Sequence, residues 1–257
     1  MFTEQELTEH VQALGVSSTD TLVVHTALKS SGEIKSIGKR PAVALIDALR
    51  EAVKDGLLLI PAFTYANVRE VPIFDVRNTM PCIGGVPTAA VEMANQTHNT
   101  ALRSPIRSLH PTHSVVAFGN RASDYVADDA KATTPFPIFS SYGKMIHGGG
   151  KLLFIGAPLT SNSFIHAVDE YLEPDGVHSH SFVTVTDYEG NQTKRGVARC
   201  QGPSARYHLY EPYLRVANAI TYGKVGNADS ALIDARLCAE VVKKYRKEVN
   251  SKSHSSI

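Results

Sequence analysis

Residues Thr21–Ile60, TLVVHTALKSSGEIKSIGKRPAVALIDALREAVKDGLLLI, decide the fold class. Thr21–Thr26 is a short apolar run with β-branched residues, the composition of a buried strand. A polar, glycine-containing stretch follows from Lys29 to Arg40. Pro41 suits the first position of a helix, where a missing N–H breaks no hydrogen bond and the fixed φ is already helical. That helix is expected to run to about Val53. Asp55-Gly56 then turns the chain, and Leu57–Ile60 is a second buried strand.

The same alternation continues outward. Upstream, Thr3 is placed to cap a helix with Glu6 completing a capping box, Leu7, Val11 and Leu14 recur at helical spacing, and Gly15 ends it. Downstream, Ser114–Phe118 and Lys151–Ile155 read as further strands, and Val86–Asn95 as a helix with Pro87 near its start. A last helix is expected over roughly Asp229–Lys247, followed by a frayed tail from about 249 to 257. Phe182–Thr186 followed by a turn at Glu189-Gly190-Asn191 reads as a β-hairpin, which would make the sheet a mixed one. Short apolar strands between amphipathic helices predict an α/β fold, a mixed β-sheet flanked by helices on both faces, in one domain over 1–257.

Composition narrows the function classes. With 257 residues, 43% of them hydrophobic, the chain can bury a sizeable core. Its 26 basic and 25 acidic residues leave a net charge of +1, without the basic excess of a nucleic-acid binder. Cys82, Cys200 and Cys238 are far apart and form no disulfide framework, so reduced thiols and a cytoplasmic location are expected. No signal-peptide pattern opens the chain, and no apolar run approaches the roughly 18 residues of a membrane span.

Three groups of residues carry candidate chemistry. The first is Arg107-Ser108-Leu109-His110-Pro111-Thr112-His113-Ser114, which gathers two imidazoles, a guanidinium and three hydroxyls ahead of the apolar run Val115–Phe118. Polar loops feeding buried strands are where a scaffold displays functional groups. The second is His25-Thr26-Ala27-Leu28-Lys29-Ser30-Ser31-Gly32, a loop whose amides and Lys29 suit a phosphate, with Lys35, Lys39 and Arg40 just before the helix start at Pro41. An ordinary solvated loop is the plainer reading of that segment. The third is the strand, glycine turn and helix from Leu153 to Glu170. Asn162 or Ser163 can cap the helix, His166 falls in its first turn, and Asp169 and Glu170 share its face. A carboxylate beside an imidazole makes a general base; a surface histidine with solvated carboxylates is the alternative. His110 with His113, and His178 with His180, have spacings seen in metal sites, but no further ligands complete a set, so no metal is expected.

These segments resemble the aminoglycoside 3-N-acetyltransferase family. The resemblance runs through HTALKSSGEI, GLLLIPAFTY (Gly56–Tyr65), RSLHPTHSVVAFG (Arg107–Gly119), TTPFPIFSSYGKM (Thr133–Met145), KLLFIGAPLTSNSFIHAVDE (Lys151–Glu170) and Val225-Gly226-Asn227-Ala228 before the last helix. It implies acetyl-coenzyme A as donor and a primary amine on an aminoglycoside or related amino sugar as acceptor. It carries the family's histidine over to His166. The family's usual Glu three residues later is Asp169 here, with Glu170 next to it. The coenzyme groove is then expected to be lined by Lys29, Ser30, Ser31, Ser108, His110, Thr112 and Ser114. The paired glycines common before the family's next helix are replaced here by Ile37-Gly38-Lys39-Arg40. An amine-metabolite acetyltransferase, a metal-dependent hydrolase and a non-catalytic coenzyme- or sugar-binding protein remain as other readings, and a homodimer as a possible assembly.

Overall fold

A computed structural model describes residues 1–36, 38–97, 105–174, 180–198 and 204–254. The chain begins with α1 (Glu4–Ala13), β1 (Thr21–Thr26), a 3-10 turn (Leu28–Ser31), α2 (Pro41–Ala52) and β2 (Leu57–Pro61). It continues through α3 (Tyr65–Glu70), β3 (Ile73–Asp75), α4 (Gly85–Thr97), β4 (Ile106–Arg107), β5 (Val115–Phe118), α5 (Ala122–Val126) and α6 (Lys144–Gly148). It closes with β6 (Lys151–Ile155), α7 (Ser163–Leu172), β7 (His180–Thr186), β8 (Gln192–Ala198), α8 (Glu211–Val216), β9 (Ile220–Val225), β10 (Ala228–Asp234) and α9 (Ala235–His254).

Seven strands form the main sheet in the order β4-β5-β2-β1-β6-β10-β9. β1 pairs in parallel with β2 and with β6; the flanking pairs are antiparallel. Strand alternation divides the core cleanly. Leu22, Val24, Leu58, Ile60, Leu153 and Ile155 face α1, α2 and α4. Val23, Leu57, Leu59, Leu152 and Phe154 face the layer holding α5 to α9. The expected α/β fold with helices on both faces is what the chain adopts. At its start, the Thr3 hydroxyl accepts from the Glu6 amide while Glu6 reaches back to the Thr3 amide, completing the capping box.

Two expectations need correction. The hairpin is present, with the Asp187 carboxylate accepting from the Glu189 and Asn191 amides across its turn. It belongs, however, to a separate three-stranded sheet in the order β3-β7-β8, built around Phe74, Val76, Val183 and Val185. The mixed character of the main sheet comes from its edge strands instead. Second, the last helix does not begin near Asp229. Residues 228–234 form β10, buried against β6, and the helix runs from Ala235 to His254. Gly226, with φ of 59°, makes the tight turn from β9 into β10. The start of the expected tail is therefore helical, with Val249 fully buried.

Candidate active site

In an open α/β sheet, ligands bind beyond the carboxyl ends of parallel strands, where the strand order reverses. Here the reversal is at β1, because β2 lies on one side of it and β6 on the other. A cavity of about 930 Å³ opens there. Thr26, Pro61 and Ala157 mark the strand ends, and Phe182, Val183 and Val197 of the small sheet form the opposite wall. This volume falls in the range of small-molecule and cofactor sites.

His166 stands in the first turn of α7 and lines this cavity. Its Nδ1 lies 2.5 Å from the Tyr207 hydroxyl. The Phe136 ring stacks parallel to it at 6.0 Å, and Tyr207 meets it edge-on at 4.8 Å. Burial, aided by the nearby Arg206 charge, holds the imidazole down to about 4, so the ring is neutral at ordinary pH. Among the described residues no hydrogen bond reaches its Nε2.

The carboxylates expected beside His166 are committed elsewhere. Asp169 bridges two guanidiniums, Arg246 Nε at 2.6 Å and Arg206 Nη2 at 3.3 Å. Glu170 accepts from the Thr134 hydroxyl and, at 2.9 Å, from the Phe136 amide, and its burial raises its pKa. Asp169 balances the cation beside His166, and Glu170 anchors the segment that carries Phe136. Tyr207 comes from the 3-10 segment Ser204–Tyr210, 41 positions further along the chain, and no local spacing announces it.

The Arg107–Ser114 segment divides between scaffold and site. Arg107 is 1% exposed, and its guanidinium donates to the carbonyls of Val76, Thr79 and Ala62 and to the Ser114 hydroxyl. The Ser114 hydroxyl in turn donates to the Ala62 carbonyl. Ser108 accepts from the Val115 amide and bonds Asp129. His110 Nδ1 accepts from the Thr112 and His113 amides, which leaves Nε2–H to donate to the Thr134 carbonyl at 2.9 Å. Contrary to expectation, Ser108, His110 and Ser114 are thus buried struts that do not line the cavity. Thr112 and His113 do line it. His113 packs edge-on against Phe63 and parallel to Tyr65, and its Nδ1 lies 2.9 Å from the Thr112 hydroxyl.

The loop after β1 is also split. Lys29 and Ser30 are exposed, whereas Ser31 is buried and its hydroxyl has no partner among the described residues. None of the three lines the cavity; Thr26, a few residues earlier, does. Ser30 sits over the turn after β6, since a Cβ added to Gly156 would stand 1.7 Å from its hydroxyl oxygen. The cations before α2 serve the surface: Lys39 pairs with Glu4 and Asp47, and Arg40 with Glu92.

Asn162 occupies the cap position of α7, but its side chain makes no capping bond. Sequence reasoning included His25 in its second segment without giving it a role; it is a cavity-lining imidazole stacked on Phe154 at 5.0 Å and held down to about 4 by burial. Cys82 and Cys238 are free thiols. Cys200, His178 and the side chain of His180 lie outside the described residues. Among the described residues, no cluster of metal-ligating side chains is present, and no helix is long and apolar enough to cross a membrane.

A family model described as aminoglycoside 3-N-acetyltransferase matches residues 23–247. Aminoglycoside N(3)-acetyltransferase VIII of Streptomyces fradiae is 29% identical over 188 residues, which cover 68% of this chain and 63% of the relative, just under two thirds of its length. Aminoglycoside N(3)-acetyltransferase III of a Salmonella species is 26% identical over 274 residues, covering 92% of this chain and 88% of the relative. The solved structure of AAC-IIIb in a binary complex with CoASH superposes with a TM-score of 0.74 at 22% identity, covering 95% of this chain and 97% of that one. At that identity the superposition speaks for the fold. The family match extends over most of the sequence, and the chain belongs to the aminoglycoside 3-N-acetyltransferase family.

Proposed function

We propose that this chain is an acetyl-coenzyme A-dependent N-acetyltransferase acting on a primary amine of an aminoglycoside or related amino sugar, with His166 as general base. The carrying observation is the neutral imidazole of His166 inside the cavity at the sheet's carboxyl edge, with Nε2 unbonded among the described residues. Family membership and the CoASH complex of AAC-IIIb support the donor.

The base must accept at Nε2, which requires the tautomer in which Nδ1–H donates to the Tyr207 oxygen. The acceptor ammonium first gives one proton to water; as the freed amine nitrogen attacks the thioester carbonyl in a direct transfer, His166 takes the second proton from it. The tetrahedral intermediate collapses with cleavage of the C–S bond. The thiolate leaves with the proton held on His166, giving an amide and coenzyme A. General-base help of this kind contributes about 10²–10⁴-fold, and holding amine and thioester together supplies much of the rest.

The Thr112 amide already donates to His110, so the start of α7 at Ser163 is the better source of donors to the oxyanion. Lys29 and Ser30, exposed beyond the end of β1, remain our candidates for the coenzyme phosphates, and Thr112 for a contact within the groove.

The test is direct. The purified chain is titrated with coenzyme A by calorimetry, then incubated with acetyl-coenzyme A and a panel of amines while thiol release and product mass are followed. Saturable coenzyme binding and an acetylated amine are expected. Coenzyme binding without transfer to any amine would leave a binding protein, and activity abolished by a chelator would point to metal-dependent hydrolysis.

A further inference from the structure

The charge of the cavity restricts its acceptor. Among the described residues, Arg69 is the only cavity-lining side chain that is charged at neutral pH. The imidazoles of His25, His113 and His166 are neutral there, and no carboxylate joins them. Asp169 and Glu170, the acidic residues of α7 closest in sequence to His166, are held by arginines and by the Phe136 segment. The residues outside the described set contain one acid, Asp175, against two arginines, Arg103 and Arg199.

Arg69 lies on α3, exposed beside the cavity, and takes part in none of the ion pairs among the described residues. A compound with four or five ammonium groups entering this space would shed water from cations that meet no counter-charge among the described lining residues. A guanidinium, by contrast, offers a planar fork that matches phosphate or carboxylate oxygens.

We infer that the acceptor is an amino sugar with one amine and an anionic group, received by Arg69, rather than a polycationic aminoglycoside. This rests on the transferase reading above and narrows its substrate class. The amine then reaches His166 while the anion stays at the α3 rim, which orients the sugar.

The experiment compares glucosamine, glucosamine 6-phosphate, 2-amino-2-deoxyglucuronate and kanamycin as acceptors, in the native chain and in Arg69→Gln. At least one anionic sugar is expected to exceed glucosamine in kcat/KM by about 10-fold or more, the range of a hydrogen bond to a charged group. Which of the two leads identifies the anion as phosphate or carboxylate. Kanamycin is expected to be the poorest acceptor. Arg69→Gln should collapse the ratio through acceptor KM.

Preference for kanamycin overturns the inference, as does a ratio that survives in Arg69→Gln. A rise in KM for acetyl-coenzyme A in place of acceptor KM also overturns it, because Arg69 would then serve the coenzyme phosphates. If coenzyme A binds but no sugar is acetylated, the acceptor class is wrong and the coenzyme site stands. If coenzyme A does not bind, the underlying reading fails.

Discussion

The Tyr207 hydroxyl lies 2.5 Å from Nδ1 of His166, where a carboxylate three or four residues along the helix was expected. A phenol orients an imidazole without adding a negative charge. The ring therefore keeps the low pKa that burial gives it. Tyr207→Phe should lower kcat about fivefold to tenfold, the worth of one hydrogen bond, and leave the KM for acetyl-coenzyme A unchanged. Steady-state kinetics decide this. An unaltered kcat would mean that Tyr207 only packs against His166.

Replacing His166, the proposed base, is expected to have a larger effect. His166→Ala is expected to lower thiol release by about 10²–10⁴-fold while coenzyme A binding persists. Near-native turnover in a folded variant would remove His166 from the mechanism.

Arg206 is expected to move the acid side of the pH profile. Its positive charge helps to depress His166. In the native chain, the limb from protonation of the base belongs near pH 4. Activity changes nearer neutrality then come from the acceptor amine. Arg206→Gln removes a cation, so the base pKa should rise towards 6.5 and the limb should move to higher pH. A profile that stays in place would contradict the electrostatic role.

Buried imidazoles also make the fold acid-sensitive. His25, His110 and His166 are held at about 4 and His113 well below the usual 6.5, chiefly by burial. Below pH 6.5 the unfolded chain binds protons that the folded chain refuses, so stability falls as pH drops from about 6.5 towards 4. Asp129, raised to about 6 by burial, opposes this trend, as does the raised Glu170, but the four imidazoles outweigh them. At about 1.36 kcal/mol per pKa unit, the net loss between pH 7 and pH 5 is on the order of a few kcal/mol. Thermal unfolding at the two pH values should show a Tm lower by roughly 10 °C at pH 5.

Arg107→Met tests the buried strut. It leaves the carbonyls of Val76, Thr79 and Ala62 without this donor. Each unsatisfied buried group costs about 1–3 kcal/mol, so a destabilisation of about 3 kcal/mol or more is expected in urea unfolding. Arg107→Lys should restore little, because an ammonium cannot span carbonyls arranged for a planar fork.

Gly156→Ala probes the join between the turn after β6 and the loop after β1. Gly156 has φ of 62°, and an added Cβ would overlap Ser30. Movement of that 3-10 turn should weaken coenzyme A binding as well as stability, measured by calorimetry and thermal unfolding. Loss of stability with unchanged affinity would separate Ser30 from the coenzyme site.

Much of the architecture was legible because local signals agreed with burial. The Thr3–Glu6 capping box, Pro41 opening α2 and the apolar runs of β1, β2, β5 and β6 each point to one structure. β10 was hidden because Ala228–Asp234 lacks strong β-branched composition and is held between β9 and β6, the latter more than 70 positions earlier. His166 was picked out by its place after a strand, a glycine turn and a helix start, and it lines the cavity. Its partner was not picked out, since Tyr207 arrives by tertiary folding.

The sequence by itself determined the alternation of strands and helices, the two-sided core and the position of His166 at a helix start, because these depend on spacing and propensity within short windows. Only the tertiary structure decided which polar groups are struts and which face the cavity. His110, Ser108 and Ser114 went inward while Thr112 and His113 stayed at the wall. That division depends on where buried carbonyls and amides need partners, and those partners come from distant parts of the chain.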